Sequence, residues 1–147
     1  MKLQIASQLA IFAVLELTAN SNRQLSVADI GQKYGVSSHH LAKVMHVLGR
    51  AGLVRSVRGA GGGYRFSGNI RRITLLDIVE LFEKLGSDHS DANRARVTSD
   101  EARALHQILA EIDNIARATL GSITIATMLK LAERRRANAR QPAAARL

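Results

Sequence analysis

Residues 26–66 read SVADIGQKYGVSSHHLAKVMHVLGRAGLVRSVRGAGGGYRF. Ser26-Val-Ala-Asp29 is a variant capping box, a hydroxyl for the third amide of a helix and an acid to return the favour. It predicts a short helix to about Tyr34. Gly35-Val36-Ser37 makes a tight turn, and Ser37 or Ser38 caps a third helix running to Ala51. Leu41, Val44, Met45 and Leu48 stand at i, i+3, i+4, i+7 and form its core face. Gly52 is placed to stop that helix in the left-handed conformation. Two short helices joined by a glycine-containing turn spell helix-turn-helix. Residues 53–58 are then rich in β-branched side chains, 59–63 are too glycine-rich for any element, and 64–66 read as a returning strand. Strand, glycine loop and strand directly after the second helix make a wing.

Outward from this core, Ile5, Leu9, Phe12, Ala13 and Leu17 predict a helix over residues 5–20, with Ile11, Val14 and Leu15 widening its apolar arc. A helix apolar on most sides is buried on most sides, in its own chain or against a partner subunit. Thr74-Leu-Leu-Asp77 is a second capping box, opening a helix through about Lys84. Residues 86–97 are polar and charged, a loop. Thr98-Ser-Asp-Glu101 caps a long helix to about Leu120, in which Leu105, Ile108, Ile112 and Ile115 step 3, 4, 3, the spacing of a two-helix seam. Leu109 and Ala116 broaden that stripe. Gly121 and Ser122 break the helix, and a last one covers roughly residues 124–133. The expected architecture is mainly α with a small β wing. Residues 1–84 form a winged helix-turn-helix, 85–98 a loop, 99–133 the dimerisation helices and 134–147 a disordered basic tail.

The whole chain has 147 residues, 46% of them hydrophobic and 22% charged, with one proline and no cysteine. That suits one folded domain and excludes wholesale disorder, and no apolar run is long enough for a membrane span. The apolar stretch 5–17 lacks a basic lead-in and a cleavage site, so a secretory signal is not expected and a cytoplasmic location is. Without cysteine there is no disulfide, thiolate metal site or cysteine nucleophile.

The net charge of +9 is unevenly placed. The first 73 residues hold ten Lys/Arg against two acids, Glu16 and Asp29, whereas the remaining 74 hold eleven against ten. A one-sided basic excess is the footprint of a nucleic-acid binder, and solubility alone would not concentrate it. From Arg50 to Arg72 there are six arginines (Arg50, Arg55, Arg58, Arg65, Arg71, Arg72) and no acid. They suit phosphate contacts and a narrow minor groove, and glycines let the loop backbone approach closely.

Other chemistry finds little support. There is no G-x-S-x-G elbow and no H-E-x-x-H, and residues 59–63 lack the lysine of a phosphate-binding loop. His39 and His46 are about 10 Å apart along a helix, too far for one ion. No catalytic or metal site is expected.

The segment from Val27 to Phe66, above all residues 52–64, together with ITLLDIVELFE at 73–83, resembles the IscR/NsrR-type (Rrf family) bacterial transcriptional regulators. The resemblance covers about residues 1–130. It implies a winged helix-turn-helix, a homodimer built on the long helix through Leu105, Ile108, Ile112 and Ile115, and an imperfect palindromic operator. It places Ser37, His39, His40 and Lys43 in the major groove and Arg58 with Gly61, Gly62 and Gly63 at the wing contact. Ser38, Arg50 and Arg65 complete the expected set of DNA-binding residues. The competing reading of these positions is ordinary capping by Ser37 and a solvated helix face. Many relatives hold an iron–sulfur cluster on three cysteines, whose positions fall near Asp91, Val97 and Arg103, with a histidine ligand of some members at His106. Valine and arginine do not ligate iron, so a cluster is not expected.

The reading is a sequence-specific, dimeric regulator of double-stranded DNA, acting as a repressor without a cofactor. A small molecule in an apolar pocket between the long helix and the DNA-binding half is the expected effector. Two alternatives are a non-specific architectural DNA-coating protein and an interaction module that has lost DNA binding. The first is separated by competitor DNA, and the second is disfavoured by six uncompensated arginines.

Overall fold

The computed structural model describes residues 1–86 and 99–141. The helix α1 (Ile5–Ala19) runs through the centre of the domain. Leu9, Ala10, Ile11, Ala13, Val14 and Leu17 are all buried on it, while Ile5 at its start is exposed. Its partners lie within the same chain: it packs against the helix-turn-helix, the wing and the helices that follow.

The helix α2 (Val27–Tyr34) opens on the expected capping box. The Asp29 amide donates to Ser26 Oγ at 3.1 Å, and the Ser26 amide donates to Asp29 Oδ2 at 2.9 Å. Those bonds, the backbone one first, hold the Asp29 carboxyl below the usual carboxylate range. At the far end Gly35 takes φ 65° and the Val36 amide donates to the Gly31 carbonyl at 2.9 Å, a Schellman-type closure. The turn is close enough that a Cβ on Gly31 would meet the Val36 carbonyl oxygen at 2.7 Å.

The helix α3 (Ser38–Arg50) is capped by Ser37, not Ser38. Leu41, Val44, Met45 and Leu48 are buried, as their spacing requires. Gly52 sits at φ 77°, and the Leu53 amide donates to the Leu48 carbonyl at 3.0 Å. The chain then enters β1 (Val54–Val57), which pairs antiparallel with β2 (Gly63–Phe66). Val54 stands opposite Phe66, and Arg55 opposite Arg65. Leu25 adds a bridge to Tyr64, which ties the wing to the residue before the α2 cap.

The helix α4 (Leu75–Val79) also carries its capping box, between Thr74 and Asp77, but is shorter than the pattern implies. Beyond Val79 the Leu81 and Phe82 amides donate three residues back, to Ile78 and Val79. This tightening turns Glu83 toward α1, where its carboxylate accepts from the Ser7 hydroxyl and from the Gln4 amide. The long-range bonds win over local helix extension.

The helix α5 (Asp100–Ser122) is capped by Ser99 and runs through Gly121 and Ser122, which were expected to break it. Gly121 lies 3.4 Å, measured from an added Cβ, from Leu76 Cδ2, so its lack of a side chain serves the approach of α5 to α4. Arg117 on α5 also pairs with Glu80. At the α5–α6 junction the Leu75 amide donates to the Ile123 carbonyl and the Ile125 amide to the Ile73 carbonyl. The last helix, α6 (Ile125–Arg140), extends well past residue 133. The expected disordered tail is thus helical as far as Arg140, which the Arg and Ala content of residues 134–140 favours; residues 142–147 lie outside the described residues.

Candidate nucleic-acid interface

The turn between α2 and α3 delivers the start of α3 to the surface. Ser37, Ser38, His39, His40 and Lys43 are all exposed there. Ser37 Oγ accepts from the His40 amide at 3.2 Å, so its capping role is real and leaves its hydroxyl proton free to donate. Ser37, His39, His40 and Lys43 line one hollow of about 400 Å³, closed behind by Ala6, Val44, Val47 and Phe82. Ser38 is not part of it. Free amides of a helix start and a lysine one turn on form an edge suited to phosphate oxygens and base acceptors.

Arg58 is exposed at the tip of the wing. The glycines beside it have internal reasons to be glycine. Gly59 and Gly61 take φ 105° and 71°, and a Cβ on Gly62 would lie 2.4 Å from the Val57 carbonyl oxygen. The tight tip itself, more than close approach to a ligand, requires them.

The remaining expected DNA-binding residues separate from this edge. Arg50 ends α3, about 18 Å from its start. It lines a hollow with Arg55, His46 and Tyr64 between α3 and the wing. Arg65 is half-buried and donates to the Ser21 carbonyl at 3.2 Å, on the far face of the wing. Among the described residues no acid forms an ion pair with Lys43, Arg50, Arg55, Arg58 or Arg65.

Behind the interface lies a polar cluster that sequence reading missed. Glu16 is only 8% exposed on the otherwise apolar α1. It accepts from Lys33 and from the Tyr34 hydroxyl (2.8 Å), and so ties α2 to α1. Burial, then the bond to Glu16, pushes the Tyr34 hydroxyl well above its usual pKa. Phe12 stacks on the Tyr34 ring at 5.0 Å between centroids. The available signal was a single acid inside an apolar helical run.

On α5 the seam faces outward. Leu105, Ile108, Ile112 and Ile115 are 56%, 55%, 56% and 67% exposed in the single chain. Leu109 and Ala116, beside this row, are half-buried in the single chain. Of the positions where relatives hold a cluster, Asp91 and Val97 lie outside the described residues. Arg103 pairs with Asp100 at 3.3 Å, and His106 is half-buried. With no cysteine anywhere in the chain, the donor set does not fit an iron–sulfur cluster. Among the described residues no three His, Asp or Glu side chains gather as a metal site. No helix among them is long and apolar enough to cross a membrane.

Comparison with known proteins agrees with this geometry. BadM of Rhodopseudomonas palustris, named as an HTH-type transcriptional regulator, is 51% identical over 136 residues, covering 92% of this chain and 86% of BadM. The structure of T. potens IscR superposes with a TM-score of 0.75 at 27% identity, covering 96% of this chain and 92% of IscR. CymR, titled the global cysteine regulator of B. subtilis, gives a TM-score of 0.74 at 26% identity, covering 89% of this chain and 98% of CymR. Residues 3–131 match the Rrf2 family, described as iron-dependent transcriptional regulators. The chain therefore belongs to the Rrf2 family of winged-helix transcriptional regulators, DNA-binding proteins and not enzymes.

Proposed function

We propose that this protein binds an imperfect palindromic operator as a homodimer, reads it sequence-specifically, and represses the promoter beneath it in the cytoplasm. The observation that carries this reading is the pairing of two unpartnered surfaces. One is the basic edge of Ser37, His39, His40 and Lys43 together with Arg58 at the wing tip, where neither Lys43 nor Arg58 forms an ion pair among the described residues. The other is the row of four large aliphatic side chains on α5 left open to water. A contiguous exposed apolar stripe at a/d spacing is a helix-pairing surface. Two-fold pairing through it repeats the basic edge twice, and a two-fold protein matches a palindrome. Occupancy by a dimer occludes the DNA under it, which makes repression the direct outcome. The cysteine-free chain does this without an iron–sulfur cluster, so its switching chemistry differs from that of cluster-bearing regulators.

The test is selection of bound duplexes from a random library, with protein purified in air and with protein prepared anaerobically with iron and sulfide. The reading expects one two-fold symmetric sequence in both preparations and a colourless protein in each. Flat enrichment would favour the architectural alternative. A brown protein with a different bound sequence would restore the cluster.

A further inference from the structure

A cleft of about 370 Å³ opens between the end of α1, the turn after it and the far face of the wing. Arg23, Arg55 and Arg65 line it, and among the described residues no acidic side chain does. Arg55 and Arg65 are direct register partners across two antiparallel strands, so they share one face. Like charges placed opposite one another destabilise a strand pair, and no described acid pairs with either. Arg65 spends one donor on the Ser21 carbonyl, leaving most of a guanidinium's five N–H groups unused while half-buried. Arg23 also borders a neighbouring hollow with Glu16 and Asp29, and Asp29 already accepts from the Ser26 amide. An anion seated between these arginines offsets their repulsion and uses the idle donors.

The rest of the lining narrows the class of anion. Leu17, Phe66 and Ile70 form an apolar side that a bare inorganic ion would leave to water. The volume falls within the range of small-ligand pockets, about 300–1,000 Å³. We propose that this cleft binds a small organic carboxylate with an apolar body, its carboxylate between Arg55 and Arg65 and its body against Leu17, Phe66 and Ile70.

The site shares no residue with α2, α3 or the hollow of Ser37, His39, His40 and Lys43. Arg55 also borders the hollow of Arg50 and His46, and Arg65 belongs to the set expected to meet DNA, so acid binding is measured without DNA, whereas any effect on DNA rests on the DNA reading. That effect runs through β1 and β2, which carry Arg58 at their shared tip. A ligand that fixes the two strands biases the wing only by preferring one of its positions.

The test is an NMR titration of the full chain with hexanoate, cyclohexanecarboxylate and 3-phenylpropanoate, against acetate, inorganic phosphate and hexanol. At least one of the three acids should shift Phe66, Ile70 and the Arg65 side chain saturably. Acetate and phosphate should bind about tenfold more weakly or worse, a difference of about 1.4 kcal/mol, and hexanol not at all. R55Q, at an exposed position, and R65Q should each weaken the acid by about tenfold with the circular dichroism unchanged. No saturable shift with any of the three acids, or phosphate equal to them, would overturn the proposal. So would displacement of the acid by random duplex DNA, with R65Q lowering the salt slope of DNA binding by about one, because the arginines would then be phosphate contacts. Acid binding retained in a protein that selects no DNA sequence upholds the cleft and counts against the DNA reading alone.

Discussion

Gly63 lies so close to Leu25 that a Cβ on it would sit 2.5 Å from the Leu25 carbonyl oxygen. The neighbouring Tyr64 amide donates to that same oxygen at 2.7 Å, so the wing is stitched to the strand-like residue before α2. Gly63→Ala must push the two backbones apart, and overpacking of this kind costs about 1–3 kcal/mol. Gly35→Ala, with nothing within 4 Å of its Cβ, should show only the left-handed strain at φ 65°. Urea unfolding with DNA binding in parallel checks this. Gly63→Ala should lose both stability and operator affinity, whereas Gly35→Ala should lose chiefly stability.

Tyr34 gives the fold an alkaline limit. Its hydroxyl pKa is raised in the folded chain by burial and by the bond to Glu16. The unfolded phenol ionises near its ordinary value of about 10. The stabilisation is therefore complete below about pH 10 and is lost as pH rises from there toward the folded value. Tyr34→Phe should lower stability by about 1–2 kcal/mol at neutral pH through the lost bond to a charged acceptor. It should also remove part of the downward slope of stability above about pH 10. Chemical denaturation at several pH values reads both, and an unchanged alkaline slope would show that Tyr34 does not set the limit.

Arg58 should report which groove the wing meets. Arg58→Ala is expected to weaken operator binding by roughly 1–3 kcal/mol if the side chain reads a groove, or to lower the salt slope by about one if it meets phosphate alone. Affinity measured across a salt series separates the two. Unchanged affinity and slope would take Arg58 out of the interface.

The α5 seam should hold the dimer. Ile112, 56% exposed in the single chain, becomes a buried position once two seams meet. Ile112→Asp places a charge there, and should give monomers at micromolar concentration with poor operator affinity but an intact fold, because the side chain touches no core of its own subunit. Sedimentation equilibrium decides it. A native protein that is monomeric under the same conditions would remove the two-fold architecture.

The parts of this fold that sequence revealed are those fixed by residues within a few positions of one another. The Ser26–Asp29 and Thr74–Asp77 boxes, the left-handed Gly52 and the 3-4-3 stepping of the exposed apolar row on α5 are local devices. Each occurs where its pattern places it. What escaped is set at long range. Glu83 cuts α4 short by reaching Ser7, and Leu25 joins the wing from 39 positions upstream of Tyr64. Gly121 reads as a breaker until Leu76 is seen against it. In the candidate site, the α3 edge was legible because Ser37 caps and Lys43 follows in phase. Arg65 was not, since only the strand register shows it turned to Ser21 and opposite Arg55.

A dimer that reads DNA by the α3 edge and the wing should discriminate one sequence from others. This is measured by a competition titration of the protein on its selected site against a scrambled duplex of equal length and composition, at physiological salt. The expected result is a preference of roughly 10³-fold or more, with protection over two half-sites whose centres lie about one DNA turn, roughly 34–36 Å, or a multiple of it apart. Equal affinity for the two duplexes, with protection that spreads evenly as protein is added, would contradict it.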